Sequence, residues 1–542
     1  MTGMTHWEDF RDGKLKRRDE LIAEFKAPEA LVPTPEQMND VTEYIETMKI
    51  LTEDEIEITN STIEQIQSTI LEKRWTATQT IRAFIHRATL AQQLTNCLTE
   101  IRFEEALKEA EAQDSYFSQT GKLVGPFHGI AVSLKDNIKV EGLATSMGFV
   151  ALAEKIEQED AALVKLLKSL GGCIICKTNT SAGMMYSETT NKLWGRTYNP
   201  SARQYLNCGG SSGGEAVLAA MKGSCVGFGS DIGGSVRHPA ALCGVYSLKP
   251  SFGRIPSFGT ASGQPGQESI KSIYGPLSYW LENVEYSFKA IVDSEPYKSI
   301  DANCIPLKFR KQILDNSPLT VGFLDTDGTS TATPPVLRGL EIVRKALESS
   351  NHQTVDWPDI YLTEIKNAIY PFYDANGYKS IKALIEASGE PVDPLLSKWF
   401  PTARDMPVSE LWSLQVKRSE LCQKYLKLWN TFSDKPLDAL IVPVSPFPGC
   451  PLDGVVTLPF TAIWNGLDYC GSTIPVTRCD TKQDVPLDKT NFISKVDEHV
   501  HETYKHRLNE FQGGVVSLQV ICGKLQEEKC LAITNYLKQL LK

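Results

Sequence analysis

Residues 208–239, CGGSSGGEAVLAAMKGSCVGFGSDIGGSVRHP, constrain this chain more than any other stretch. Two clusters of glycine and serine, 209–214 and 229–235, bracket a segment rich in Ala, Val, Leu and Met. Glycine lets a backbone turn sharply and lets other groups approach it closely. Serine supplies a hydroxyl that can attack, relay a proton or cap a helix. The pattern suits a repetitive linker, and it equally suits two walls of one site. The rest of the chain has to decide.

On either side, short buried strands alternate with helices. Ile130–Leu134 reads as a strand with little polarity, ending in Lys135-Asp136-Asn137. Asp160 is placed to cap a helix over 161–170, which Gly171-Gly172 ends, and Cys173–Lys177 is the next strand. Glu215–Met221 reads as helix, then Cys225–Gly229, Leu437–Pro443 and Gly514–Gly523 as strands, with 458–476 core-like and 527–541 a closing helix. Upstream, residues 5–26, 65–98 (interrupted near Trp75-Thr76) and 103–117 form a helical layer. Residues 250–275 read as loop. The alternation predicts an α/β fold on a largely parallel or mixed sheet. The expected layout is an N-terminal helical arm over 1–60 and one domain over 61–542, carrying a mainly helical insertion or lid at about 300–430.

Composition removes several function classes. The net charge of −10 argues against nucleic acid as a main partner, since phosphate binding needs concentrated Lys and Arg. Thirteen cysteines, an odd number scattered over a long chain, read as reduced buried thiols rather than a disulfide framework. Cys173 and Cys176 form a CxxC, but they sit in the apolar run CIIC, with no second ligand pair for zinc. The N-terminus lacks the apolar core of a secretory signal, and no window reaches the roughly 18 apolar residues of a membrane span. The expected location is cytoplasmic. Surface association with a membrane stays open, as does a homodimer.

The glycine clusters fit no phosphate loop. No Lys follows Gly214 as a Walker loop requires, and neither cluster has the GxGxxG spacing between strand and helix. Gly209, Ser211 and Gly213 do satisfy GxSxG, the nucleophile-elbow pattern, which is common by itself. That elbow needs a histidine. His499, His501 and His506 lie in a charged segment that reads as solvated. His238 is a candidate base by type, but it lies three residues after Ser235 in the same turn, where a supporting or packing role is the plainer reading. A lysine can replace histidine as a base if burial lowers its pKa. Lys135 follows five residues of buried-strand character, although most lysines at strand ends reach water.

Taken together, IAVSLKD at 130–136, GGSSGGE at 209–215 and GSDIGGSVRHPA at 229–240 resemble the amidase signature family. So does the interval of 24 residues between Ser211 and Ser235 (235 − 211). AQQLTNC at 91–97, TSMG at 145–148, GRTYNP at 195–200, GQES at 266–269 and QVI at 519–521 look like its fungal acetamidase branch. Fatty acid amide hydrolases are more distant relatives, whose membrane helix has no counterpart here. The resemblance runs from about residue 50 to the end. It implies a large mixed, mostly parallel twisted sheet covered by helices on both faces.

The resemblance also implies a Ser–Ser–Lys triad: Ser235 as nucleophile, Ser211 as proton relay in a cis peptide, Lys135 as base. It implies an oxyanion hole of backbone N–H groups at Ile232, Gly233, Gly234 and Ser235. Asp231 and Arg237 would anchor the nucleophile's loop, and Ser212 would orient Lys135; bracing roles explain all three equally well. Met184, Met185 and Tyr186 are candidate pocket walls. Two departures concern the pocket: Ser181-Ala182 stands where many relatives have Pro-Gln, and His238 where an apolar residue is usual. The implied activity is hydrolysis of a linear carboxylic amide, acetamide-like or larger aliphatic or aryl, through an acyl-enzyme, without metal or organic cofactor. Acyl transfer, esterase activity, a non-catalytic binding protein and a tRNA-dependent amidotransferase subunit are the alternatives.

Overall fold

A computed structural model describes residues 6–312, 314, 317–454 and 459–542. Thr5 and Leu458, where two expected elements begin, lie outside the described residues. The strands, in chain order, are β1 (Leu98–Ile101), β2 (Ile130–Lys135), β3 (Gly172–Thr178), β4 (Leu206–Asn207), β5 (Val226–Asp231), β6 (Tyr246–Lys249) and β7 (Ile273–Ser278). Then come β8 (Thr320–Phe323), β9 (Gln353–Asp356), β10 (Ala439–Pro443), β11 (Cys450–Pro451), β12 (Cys470–Arg478) and β13 (Val515–Cys522). Eleven of them form one sheet in the order β1-β3-β2-β5-β7-β6-β12-β13-β10-β8-β9, and β4 pairs with β11 apart from it.

The α/β architecture and the mixed sheet stand as expected. The parallel share is smaller than expected. Parallel pairing joins β3 to β2, β2 to β5, β10 to β8 and β8 to β9, while the other six neighbouring pairs are antiparallel. Antiparallel neighbours β7, β6, β12 and β13 fill the middle of the sheet, although long stretches of chain separate them in sequence.

Helices cover both faces, and the alternation along two strands shows it. Ala439, Ile441, Leu518, Val520 and Cys522 pack with the helices Pro334–Ser349 and Glu527–Leu540. Leu440, Val442 and Ile521 point the other way, into the helices Leu362–Ile369, Val408–Thr431 and Pro459–Gly466. At the other end, every residue of β2 and β3 is buried, as their continuous apolar runs require. The interruption at Trp75-Thr76 is a helix boundary. Thr76 Oγ1 accepts from Gln79 N–H at 3.1 Å and Gln79 Oε1 from Thr76 N–H at 2.9 Å, starting the helix Ala77–Thr95.

Two expectations fail locally. Asp160 does not cap its helix. Ala161 holds that position, while Asp160 accepts from Glu141 N–H at 2.8 Å and pairs with Lys168 at 2.7 Å. Residues 300–430 are mainly helical, but they are not wholly an insertion, because β8 and β9 lie within them and extend the main sheet. The N-terminal helix Trp7–Leu21 packs Trp7, Phe10 and Leu15 beside Leu193 and Trp194, and Arg18 donates to Asn96 Oδ1 and to the Leu98 carbonyl. Among the described residues no helix is long and apolar enough to cross a membrane.

Candidate active site

The parallel strands β2, β3 and β5 end side by side: Lys135 pairs with Thr178, and Leu134 with Phe228. The carboxyl ends of such strands are where an α/β sheet opens a crevice. Lys135 closes β2 there with none of its surface exposed. Its Nζ lies 2.6 Å from Ser211 Oγ, 2.9 Å from Ser230 Oγ and 3.4 Å from the Ser230 carbonyl. Burial lowers its pKa to about 7, against the opposing pull of Asp231, Glu215 and Asp136.

The two glycine–serine clusters meet over this lysine. The segment between them is the helix Gly213–Ala220 followed by β5. The Gly210–Ser211 peptide is cis, the Ser211 carbonyl accepts from Thr180 Oγ1 at 2.7 Å, and Ser212 N–H donates to the Ser235 carbonyl at 3.1 Å. Ser235 is 6% exposed, and its Oγ has no hydrogen-bond partner among the described residues. Ser212 does not orient Lys135. It stands at the start of the Gly213–Ala220 helix, where its hydroxyl faces β5 and donates to the Ser230 carbonyl at 3.3 Å. Ser230, which sequence reasoning passed over, contacts the amine instead.

The turn after β5 is braced by one carboxylate. Asp231 accepts from Gly234 N–H at 2.8 Å, Val236 N–H at 3.2 Å and Arg237 Nε at 3.1 Å, with both side chains of the ion pair fully buried. Asn465 donates to Asp231 Oδ1 at 2.9 Å, and Arg237 reaches Gln519 Oε1 at 3.0 Å and Asn465 Oδ1 at 2.7 Å. Burial alone would raise the Asp231 pKa, but Arg237, Lys249 and Asn465 outweigh it and hold the carboxyl well below the usual range. The bond to Asp231 occupies the Gly234 N–H, so this member of the expected oxyanion hole is already engaged. The N–H groups of Ile232, Gly233 and Ser235 have no partner among the described residues. Gly234 has φ +127°, and a Cβ there would fall 2.1 Å from Thr461 Oγ1, so only glycine fits.

Behind Lys135, the buried Glu215 accepts from Ser133 Oγ and Thr178 Oγ1, each at 2.7 Å, and burial raises its pKa to about 7. Asp136 accepts from Ser146 Oγ at 2.7 Å and Met147 N–H at 2.6 Å. Met184, Met185 and Tyr186 cluster with Met147, Phe149 and the helix Lys379–Ser388 of the 300–430 segment. Tyr186 is turned inward, its hydroxyl donating to the Thr190 carbonyl at 2.6 Å.

His238 is buried and lies 3.8 Å from Cys450 Sγ; burial lowers its pKa to about 4. His499 and His506 are exposed as expected, but His501 is not. It is 7% exposed, 2.8 Å from Thr331 Oγ1 and beside Asp497 one turn earlier, because the loop around Thr331 covers its helix. Thr180, Asn465, Gln519, Thr461 and Tyr373 also reach the site's backbone or its ion pair. No local pattern announces them, since their partners lie 31 to 282 positions away.

Comparison with known proteins agrees with this geometry. A family model described as "Amidase" matches residues 79–531. The chain belongs to the amidase signature family. Among its relatives, this amidase is 32% identical to the acetamidase of Emericella nidulans over 546 residues, covering 99% of this chain and 98% of that one. It is 34% identical to the acetamidase of Aspergillus oryzae, covering 99% of each. Its structure matches that of a fatty acid amide hydrolase with a TM-score of 0.91 and 28% identity, over 99% of this chain and 94% of the other.

Proposed function

We propose that this amidase hydrolyses linear carboxylic amides, acetamide-like or longer, through a Ser235 acyl-enzyme. The observation that carries the reading is the buried Lys135 amine in contact with Ser211. Three oxygens surround Nζ. A neutral amine has two N–H bonds and one lone pair, so it can donate to Ser230 and accept the Ser211 hydroxyl proton. That leaves the Ser211 oxygen as acceptor for the proton of Ser235.

In this mechanism Ser235 Oγ adds to the amide carbon. Its proton passes to Ser211 while the Ser211 proton passes to Lys135. The carbonyl π pair moves to oxygen, where the N–H groups of Ile232, Gly233 and Ser235 meet the charge. As the C–N bond breaks, the Lys135 ammonium returns its proton through Ser211 to the leaving nitrogen. Water then repeats the sequence on the acyl-enzyme and releases the acid. Ser230 holds the amine, and the Asp231–Arg237 pair holds the turn. The names of the acetamidase relatives and of the fatty acid amide hydrolase neighbour support amides as the substrate class. The cluster of Met184 and Met185 against the helix Lys379–Ser388 is where acyl-group size would be set.

The test is ammonia release from a series of primary amides graded by acyl length, with Ser235→Ala alongside. At least one amide should be turned over, and Ser235→Ala should lose about 10⁴-fold or more in kcat. A variant with full activity, or a fluorophosphonate adduct at any residue other than Ser235, overturns the mechanism. Hydroxylamine added to the assay should divert part of the acyl group to hydroxamate.

A further inference from the structure

Two hydroxyls from outside the glycine–serine clusters reach the turn that carries Ser235. Tyr373 Oη donates to the Ile232 carbonyl at 2.9 Å, and Thr461 Oγ1 donates to the Gly233 carbonyl at 2.6 Å. Tyr373 ends the short 3₁₀ helix Tyr370–Tyr373 within the mainly helical 300–430 segment. The carbonyl of Tyr373 accepts from Gln264 Nε2 at 2.6 Å, and its ring stands edge-on to Tyr370 at 5.8 Å. A Cβ on Gly233 would lie 3.4 Å from Tyr373 Oη, so the hydroxyl rests directly against the turn.

A peptide C=O and the following N–H belong to one conjugated unit. A hydrogen bond accepted at the carbonyl polarises that unit and strengthens its N–H as a donor. The Thr461 bond therefore acts on the Gly234 N–H, which Asp231 already holds. The Tyr373 bond acts on the Gly233 N–H, which has no partner among the described residues. One hydroxyl braces the loop. The other prepares a donor that has no partner among the described residues. Burial keeps the Tyr373 hydroxyl protonated well beyond the usual phenol range, so the donor is present at every working pH.

We propose that Tyr373 is a positioning residue for amide hydrolysis: its bond to the Ile232 carbonyl orients and polarises the Ile232–Gly233 peptide so that the Gly233 N–H stabilises the oxyanion. The inference rests on the reading of Ser235 as nucleophile.

The experiment compares Tyr373→Phe with Tyr370→Phe, which removes a neighbouring hydroxyl that makes no hydrogen bond to the turn among the described residues. The readouts are kcat, KM and the inhibition constant of an alkyl trifluoromethyl ketone. Ser235 adds to that ketone's carbonyl carbon, its proton passes to Lys135 and the oxygen becomes an oxyanion. Tyr373→Phe should lower kcat about tenfold and weaken the ketone by a similar factor, a fraction of the loss from deleting a whole donor. KM and the Tyr370→Phe values should stay within twofold of wild type. A wild-type kcat, a change confined to KM, or equal losses in both variants would overturn the proposal. Should Tyr373→Phe fold poorly, 3-fluorotyrosine at position 373 is a stronger donor and should tighten the ketone; an unchanged constant overturns the proposal. Retained activity in Ser235→Ala would instead defeat the underlying mechanism.

Discussion

Lys135 combines full burial with three oxygen contacts, and its titration should be visible in the rate. Below about pH 7 the amine is protonated and cannot accept the Ser211 proton, so kcat/KM is expected to rise with pH through that range and then level. Glu215 titrates nearby, and its negative charge raises the Lys135 pKa. Glu215→Gln should therefore move the midpoint to lower pH, which a pH–rate profile measures. The glycines of the turn give a second test. Gly234→Ala meets Thr461 Oγ1 at 2.1 Å with φ at +127° and should cost about 3 kcal/mol in a denaturation experiment. Gly233→Ala meets its first neighbour at 3.4 Å and should fold normally. Lys135 was legible in the sequence because five buried-strand residues precede a charge there. Ser230 was not, because one serine in a glycine–serine cluster is indistinguishable from the next until β5 sets which faces Nζ.

The break at Trp75-Thr76 was legible in the sequence, while the helix starts at Thr52 and Thr62 went unread. Thr52, Thr62 and Thr76 each begin a helix with a reciprocal cap to Glu55, Gln65 and Gln79. Thr76→Ala should cost about 1 kcal/mol in chemical denaturation and leave kcat unchanged. Strands β1, β6, β7, β8 and β9 were hidden, and β8 and β9 show why. TVGF is four residues long, and QTVD is half exposed at the sheet edge, so neither carries a strand's usual pattern. Their partners, not their composition, make them strands. The same holds for the Asp231–Arg237 pair, whose further contacts come from the helix Pro459–Gly466 and from β13. Arg237→Met would leave the buried Asp231 carboxylate without its cation. The expected loss is about 3–5 kcal/mol, read from the denaturation midpoint, together with loss of activity.

At the scale of the whole molecule, the N-terminal helix is tied in by a buried charge. Lys14 lies 2.5 Å from Glu100, and burial raises the Glu100 pKa while Lys14 opposes it. A carboxyl whose folded pKa lies above its unfolded value loses stability as pH rises through that folded pKa. Lys14→Met removes the opposing charge. Its stability deficit, measured by denaturant at pH 5 and pH 8, should be larger at pH 8. The order of the main sheet carries a last consequence. The final strand of the chain, β13, lies inside the sheet between β12 and β10, and β12 in turn separates β13 from β6. While a ribosome makes this protein, β6 waits for β12 at residues 470–478, and β10 must keep a bare edge through residues 444–522, roughly ten seconds at ordinary elongation rates. The nascent chain is thus two half-sheets until its last stretch appears, and that interval is when chaperones have most to protect.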